Sequence, residues 1–308
     1  MINSKIFSQR WIRRCALALV LIPLSMQAVY ASTFVQVNTS LGNFLVELLD
    51  SATPGTVNNF LNYVNSGRYN GTVIHRSVPD FVVQGGWLTF NEAAQNLDPI
   101  PLDPNIVNEP GISNTRGTIA MAKVDGDPDS ANSQWFINLV DNTGLDSVNG
   151  GFTVFGRVLG SGMDIVDVIN NLPTQQFVSG SPFPTINYNG GSVLSANLVN
   201  ISMSVVTGPA NYLEPLTNLL RVTVDGGAEG MARVAFTINS TSPEAVIQLN
   251  PDSIVPLTET VANIATFDGA SGQLVLPELV VDGVVAYRNV VFQLSNPALF
   301  QFTAVSFQ

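Results

Sequence analysis

Glycine and proline recur through the sequence, at 25 and 18 of its 308 residues. Both residues interrupt regular structure and favour turns, so a chain that uses them this often is expected to consist of short elements. Hydrophobic residues still make up 45% of the sequence and charged residues only 11%, which supplies enough apolar side chains for a sizeable core. The sequence therefore predicts a folded, mainly β protein with many turns and short strands.

The first 31 residues have the pattern of a secretory signal peptide. Four basic residues precede a mostly apolar run from Cys15 to Met26, and small residues suited to cleavage end at Ala31. This run is shorter than the ~20 residues that a membrane span needs, so we expect cleavage rather than an anchor, and no stable span afterwards. Because Cys15 is the single cysteine, the cleaved chain would contain none. This composition fits a periplasmic or secreted protein without disulfides.

The charge balance argues against nucleic acid as a partner. The chain has 12 Lys and Arg residues against 23 Asp and Glu residues, a formal net charge of −11. Binding to a phosphate backbone requires a basic surface from which counterions are released. No nucleic-acid partner is therefore expected.

The character of the sequence changes near its middle, which predicts two domains. Residues 32–206 mix short strands with two helical segments, which begin near Pro54 and Met163. Residues 210–308 contain frequent turn dipeptides and no helical pattern, and Asp282-Gly283 between two β-branched runs predicts a hairpin. We expect this second part to be a small, sandwich-like all-β accessory domain of unknown role.

Residue types needed for several kinds of chemistry are missing. His75 is the single histidine, which excludes a zinc site built from several His and Cys ligands. No Gly-x-Ser-x-Gly elbow or Gly-rich phosphate loop is present. Asp125, Asp127 and Asp129 have the spacing at which an EF-hand begins, but Ser130 occupies the position that needs glycine, so a solvated acidic loop is expected. The sequence therefore predicts neither a metal nor a cofactor.

One arginine and one glutamine lie within an otherwise largely apolar run, residues 73–86. Arg76 stands eight residues before Gln84, so two adjacent strands joined by a turn can bring them over the same patch. A half-buried arginine needs hydrogen-bond acceptors, which fits a structural hub. The same pair also fits a functional site, but the residues alone favour the structural interpretation.

The run from Val73 to Gly86 resembles the signature of the cyclophilins, which are peptidyl-prolyl cis/trans isomerases. The similarity covers most of residues 33–204 and is closest to the bacterial periplasmic cyclophilins. Further matching motifs follow in order and at compatible spacing, in residues 114–122, 129–138, 144–146 and 152–158. The resemblance implies a mainly β fold: a closed eight-stranded antiparallel barrel with two capping helices.

The resemblance also implies which residues form the site. Arg76 would be the catalytic arginine, and Gln84 would hold Arg76 and the substrate backbone. Phe81 would belong to the same catalytic group and would line the proline pocket. A proline pocket and a strip of backbone that pairs with an extended substrate would bind the polypeptide. The residues expected to bind substrate are Val82, Ala122, Lys123, Phe136, Leu145 and Phe152.

Several positions depart from the usual pattern of the family. Val82 stands where methionine is frequent, Gly144 where tryptophan is frequent and Phe152 where histidine is frequent. Trp135 replaces a usual phenylalanine and is expected to be a neighbour in the core. His75 lies beside the expected site, and a structural role is predicted for it.

By resemblance, the chain would be a monomeric peptidyl-prolyl isomerase that acts on proline-containing polypeptides and assists the folding of exported proteins, without a cofactor. One alternative is a module that grips proline-containing loops with weak turnover. Another is a surface or adhesion protein in which the C-terminal domain is the functional part. The presence of Arg76 and Gln84 favours the enzyme, because a protein that only binds proline has no need of the arginine.

Overall fold

The computed structural model describes residues 33–214, 218–257 and 262–308. The predicted signal peptide, residues 1–31, lies outside the described residues. None of the helices in the described ranges combines the length and the apolar character that a membrane crossing requires. The backbone divides into two compact units, and one ends where the other begins, between Gly208 and Pro209.

The first unit is mainly β, with few helices. Its α-helices within the described residues are α1 (Pro54–Asn65) and α2 (Gly162–Asn170). Its strands are β1 (Phe34–Thr39), β2 (Gly42–Leu48), β3 (Thr72–Val73), β4 (Arg76–Val78), β5 (Val82–Gly85), β6 (Leu88–Asn91), β7 (Asn96–Pro99), β8 (Thr118–Met121), β9 (Trp135–Asn138), β10 (Val154–Val158), β11 (Thr174–Val178), β12 (Ser181–Pro184) and β13 (Asn200–Val206).

Eleven of these strands form one antiparallel sheet in the order β4-β5-β9-β8-β10-β2-β1-β13-β3-β6-β7, and β11 and β12 form a separate hairpin. The segment 72–78 closes this sheet into a barrel, because its first part, β3, pairs with β13 and its last part, β4, pairs with β5. Between them, Ile74 donates its backbone N–H to Val199 and His75 donates to Gln84, at 2.9 and 3.2 Å. Arg76 therefore lies at the seam of the barrel.

Both predicted helices are present, and their apolar faces are buried. Pro54 stands in the first turn of α1, where a missing N–H costs nothing. Val57, Phe60 and Val64 recur at helical spacing and are buried. The helix ends at Asn65, just before Gly67, whose φ of +70° is favourable for glycine. Helix α1 contacts β13 and helix α2 contacts β2.

Aromatic side chains fill the core of the first unit. The ring of Phe60 lies 5.3 Å from that of Tyr69 and 4.9 Å from that of Phe155, between ring centres. Trp135 belongs to the same cluster and is only 1% exposed. The prediction that Trp135 is a core residue is confirmed.

The second unit has no α-helix in its described residues, only a short 3₁₀ turn at Gly227–Glu229. Its strands are β14 (Asn211–Glu214), β15 (Leu219–Asp225), β16 (Met231–Ser240), β17 (Val246–Leu257), β18 (Ala265–Asp268), β19 (Gln273–Val281), β20 (Val284–Asn296) and β21 (Gln301–Ser306).

The hairpin predicted at Asp282-Gly283 is present, since β19 and β20 pair up to Val281 opposite Val284. All eight strands of the second unit belong to one sheet, in the order β14-β15-β16-β17-β21-β20-β19-β18. Parallel pairings of β14 with β19 and of β15 with β18 join distant parts of this sheet. The described part of the unit is thus a single interconnected sheet, and its expected sandwich-like arrangement stays a prediction.

Candidate active site

Arg76 and Gln84 lie directly opposite each other on β4 and β5. The strands are joined by a tight turn in which Asp80 adopts a left-handed conformation, with φ of 55°. Arg76 Nη1 donates to Gln84 Oε1 at 3.4 Å. The structure thus brings together the two polar residues of the apolar run.

Gln84 is itself held by the neighbouring strand β9 and by Gln134, which directly precedes that strand. Its Nε2 donates to Gln134 Oε1 at 2.9 Å, and its backbone pairs with Phe136 on β9. A glutamine carries one acceptor oxygen and one NH₂ group, so Gln84 can accept from Arg76 while it donates to Gln134. The orientation of the Gln84 carboxamide therefore follows from partners on both sides.

The guanidinium of Arg76 is half-buried beside Phe81. Its central carbon lies 5.5 Å from the centre of the Phe81 ring. Burial lowers the pKa of Arg76 from its ordinary value, because a charged group loses hydration when it leaves water. A partly desolvated cation interacts more strongly with a polar group placed next to it than a fully hydrated one does.

A small apolar cluster lies next to these residues. Its buried core includes Val82 and Phe136, which are 2% and 4% exposed. The rings of Phe136 and Phe152 meet edge to face, with centres 5.8 Å apart and planes at 71°. The partly buried residues packed against this cluster are Phe81, Ile112, Ala122, Leu145 and Phe152. The residues expected to line a proline pocket are therefore gathered in one place.

Backbone and carboxylate hydrogen bonds hold two residues at the edge of this cluster. Phe152 donates its N–H to the carbonyl of Leu145 at 3.0 Å, which ties these two residues together. The neighbouring Asp146 accepts from Ser113 Oγ at 2.5 Å and from the N–H of Asn114 at 2.8 Å. Burial acts to raise the pKa of Asp146, but these hydrogen bonds prevail and lower it, so the carboxylate is the favoured form.

Asn142 connects Phe81 and Asn138 with Leu145. Its Nδ2 donates to the carbonyl of Phe81 at 2.9 Å and to Asn138 Oδ1 at 2.8 Å. Its own carbonyl accepts the N–H of Leu145 at 2.8 Å. No role for Asn142 or Gln134 is predicted from the sequence. Gln134 and Asn138 lie within the family motif at residues 129–138. The sequence of this motif does not indicate which residues their side chains bind.

Ala122 and Lys123 follow β8 at the edge of the cluster. Ala122 packs against the cluster and donates its N–H to the carbonyl of Gln134 at 2.9 Å. Lys123 is half-buried, and its Nζ lies 4.9 Å from the centre of the Phe152 ring. Their expected pairing with a substrate backbone stays a prediction.

His75 lies inside the barrel wall, next to Arg76 in the sequence. It is 1% exposed, and its ring meets that of Trp87 edge to face at 5.4 Å and faces Phe183 at 6.3 Å. Burial, together with the positive charge of Arg76, lowers the pKa of His75 to about 4. A neutral, buried imidazole between aromatic rings agrees with the structural role predicted for it.

The described residues contain no group of three or more His, Cys, Asp or Glu side chains able to hold a metal ion. The acidic stretch is locally ordered, since the N–H of Asp129 donates to Asp127 Oδ1 at 3.2 Å and the N–H of Asn108 donates to Asp129 Oδ1 at 2.8 Å.

Comparison with known proteins shows similarity over the first unit. The model of the family "cyclophilin type peptidyl-prolyl cis-trans isomerase/CLD" matches residues 34–188. A peptidyl-prolyl cis-trans isomerase of Acinetobacter baylyi is 40% identical over 168 residues, which cover 54% of this chain and 86% of that protein. Peptidyl-prolyl cis-trans isomerase A of Dickeya dadantii is 43% identical over 150 residues, which cover 48% of this chain and 76% of that protein.

A crystal structure of a cyclophilin-type peptidyl-prolyl cis-trans isomerase of Cryptosporidium parvum is 22% identical, with a TM-score of 0.45, and covers 58% of this chain and 100% of that one. The family match spans half of this chain, and curated relatives at about 40% identity are matched over most of their length. This chain is therefore a member of the cyclophilin-type peptidyl-prolyl cis-trans isomerase family.

Proposed function

We propose that this chain catalyses the cis/trans isomerisation of X–Pro peptide bonds in polypeptides. Rotation about such a bond must overcome amide resonance, a barrier of ~18–20 kcal/mol, so it takes tens to hundreds of seconds without a catalyst. The rotation forms and breaks no covalent bond. A catalyst therefore needs only to hold the proline and to bind the twisted amide more tightly than the planar one.

Arg76 has the chemistry to bind the twisted amide. In the planar amide the nitrogen lone pair is delocalised, whereas in the twisted amide the nitrogen is pyramidal and can accept a hydrogen bond. A fixed guanidinium can donate to that nitrogen or to the rotated carbonyl, and this contact strengthens as the amide twists. The observation that carries the proposal is the half-buried guanidinium of Arg76, held at 3.4 Å from Gln84 and at 5.5 Å from the Phe81 ring.

The apolar cluster would anchor the proline while the preceding carbonyl turns. Val82, Phe136, Leu145 and Phe152 present an apolar surface next to Arg76, and a proline ring leaves water on contact with it. The backbone of residues 122–123 would pair with the extended chain on either side of the proline. Arg76, Gln84 and Phe81 would then contact the reacting bond, and the cluster would keep it in place.

An isomerisation assay on the full chain tests this proposal. A short peptide with a central X–Pro bond is followed by NMR exchange spectroscopy, with and without the protein at catalytic concentration. We expect the exchange rate between cis and trans signals to rise in proportion to the protein concentration. Binding of the peptide without faster exchange would contradict the proposal and would favour the alternative, a module that grips proline-containing loops.

We further propose that the substrates are exported polypeptides and that the protein acts as a monomer, in the periplasm or after secretion. Support comes from the sequence pattern of residues 1–31 and from the absence of cysteine beyond Cys15. Fractionation of producing cells tests the location. Recovery of the uncleaved protein in the cytosol would contradict it.

Two finer structural expectations belong to the same proposal. If residues 72–78 are counted as one strand and the β6–β7 extension is set aside, the remaining sheet corresponds to an eight-stranded barrel. Residues 210–308 are proposed to be an accessory all-β domain, supported by the end of the family match at residue 188 and by the division of the backbone at Gly208.

A further inference from the structure

Lys123 is one of only two lysines in the sequence, the other being Lys5, although the chain has ten arginines. Its ammonium group does not extend freely into solvent. It donates to the backbone carbonyl of Asn149 at 2.8 Å and to that of Gly151 at 2.6 Å. Since hydrogen bonds from an ionised donor are the stronger kind, these two contacts hold the ammonium group in place.

The two carbonyls belong to a tight turn that leads directly into Phe152. Asn149, Gly150 and Gly151 all have positive φ, at 52°, 75° and 81°. Their conformation leaves the carbonyls of this turn outside any strand ladder, so they need other donors. A third hydrogen bond joins the same two segments in the opposite direction: Asn149 Nδ2 donates to the carbonyl of Val124 at 2.9 Å.

The same ammonium also contacts the ring that forms the pocket wall. Lys123 Nζ lies 4.9 Å from the centre of the Phe152 ring, within the ~6 Å at which a cation attracts an aromatic face. Phe152 in turn meets Phe136 at 5.8 Å. The turn before Phe152 is also held by Asn108, whose Nδ2 donates to the carbonyls of Gly150 and Gly151 at 2.9 and 2.8 Å. Lys123 differs from Asn108 in that its ammonium contacts both this turn and the ring of Phe152.

A receptor for an acidic substrate is the competing role for this cation. Asp125, Asp127 and Asp129 follow within six residues, so the local formal charge of residues 123–129 is negative in spite of Lys123. An added carboxylate would meet repulsion from these groups. With its contacts made inside the protein, the ammonium is better suited to holding structure than to binding an anion.

We propose that Lys123 is a positioning residue, which holds Phe152 against Phe136 and so maintains the wall of the proline pocket. This inference rests on the proposed isomerase function. Arg76 and Gln84 lie on β4 and β5. Gln84 is held by the pairing of β5 with β9 and by its hydrogen bond to Gln134, and neither contact involves the turn at residues 149–151. Loss of the Lys123 contacts should therefore loosen the hold on the proline and leave the step at Arg76 intact.

The test compares Lys123→Met with Lys123→Arg in the full chain, by steady-state isomerisation of an X–Pro peptide. Methionine keeps an unbranched apolar stem and removes the donors and the charge. Arginine keeps the charge, the donors and the affinity for an aromatic face. We expect Lys123→Met to raise KM about five- to tenfold with kcat within twofold of wild type, and Lys123→Arg to restore KM to within about twofold.

The outcomes separate this inference from the proposed function. If the wild-type chain does not accelerate exchange, the proposed function is wrong. If the wild-type chain is active and Lys123→Met has an unchanged KM, the inference about Lys123 is wrong. A fall in kcat at constant KM would also contradict it, because that result would place Lys123 at the reacting bond. Equal melting temperatures of the three proteins ensure that the comparison reports on the site.

Discussion

Arg76 faces Gln84, a neutral residue, across the β4–β5 pair, and the two side chains meet at 3.4 Å. No salt bridge is formed by Arg76 among the residues that the structure describes. A carboxylate in the position of Gln84 would neutralise the guanidinium, whereas a carboxamide orients it and leaves its charge available.

The first prediction concerns Gln84 itself. Gln84→Leu removes the acceptor for Arg76 and the donor to Gln134 while it keeps the size of the side chain. We expect kcat/KM to fall about tenfold, the effect of losing one hydrogen bond to a charged group. Gln36→Leu is a matched control, because Gln36 is also half-buried on the same sheet but donates to the carbonyl of Phe44 on β2. Equal losses in the two variants would contradict a specific role for Gln84.

The second prediction concerns the apolar pocket. Phe136→Leu removes the ring that meets Phe152, and we expect KM to rise about tenfold, with a loss of about 1–2 kcal/mol in the free energy of unfolding. Phe155→Leu is the control, because Phe155 is equally buried but belongs to the main barrel core with Phe60. It should lose similar stability without a rise in KM. A rise in KM for Phe155→Leu alone would place the pocket elsewhere.

The third prediction concerns stability and pH. The pKa of His75 is lowered to about 4 in the folded protein, against about 6.5 when unfolded. The unfolded chain therefore binds the proton more readily. The resulting stability is fully present above pH 6.5 and is lost as the pH falls through the range between these two values. At pH 4 the loss amounts to about 3 kcal/mol at most.

Because His75 is the only histidine, a single imidazole signal in the NMR spectrum reports its pKa directly. Chemical denaturation at pH 7 and pH 4.5 measures the change in the free energy of unfolding. His75→Gln should reduce this change, since the variant has no imidazole to titrate. A folded-state pKa near 6.5 would refute the burial argument.

The fourth prediction concerns the two units. A chain of residues 32–206 should fold and retain most of the isomerase activity, because the described site residues all lie before Gly208. Solubility, circular dichroism and the exchange assay check this expectation against the full chain. An inactive or insoluble truncated protein, beside an active full chain, would indicate that the two units depend on each other.

The elements and the central residues of the site could be predicted because their signals are local. Pro54 and the spacing of Val57 and Phe60 indicate α1, and Asp282-Gly283 indicates a hairpin. The spacing of Arg76 and Gln84 indicates that they face each other on adjacent strands, as they do. The roles of the site residues are implied by the resemblance to the cyclophilins and not by this spacing.

Other features depend on contacts between distant segments, which no local pattern encodes. The contacts of Lys123 with the turn at residues 149–151 depend on how two loops meet. The hydrogen bond from Asn142 to the carbonyl of Phe81 likewise joins residues that are sixty-one positions apart. In the second unit, the parallel pairing of β14 with β19 joins strands that are far apart in the chain, and alternation along each strand does not identify such partners.

The most direct test of the account is the value of kcat/KM for Arg76→Ala, measured on an X–Pro peptide with a variant that is folded and melts close to wild type. We predict a fall on the order of 10²–10³-fold, comparable to the removal of one donor that stabilises a transition state. Arg76→Lys should recover little, because lysine keeps the charge but lacks the planar fork. If folded Arg76→Ala isomerises the peptide at close to the wild-type rate, Arg76 is a structural hydrogen-bonding residue and the proposed mechanism is wrong.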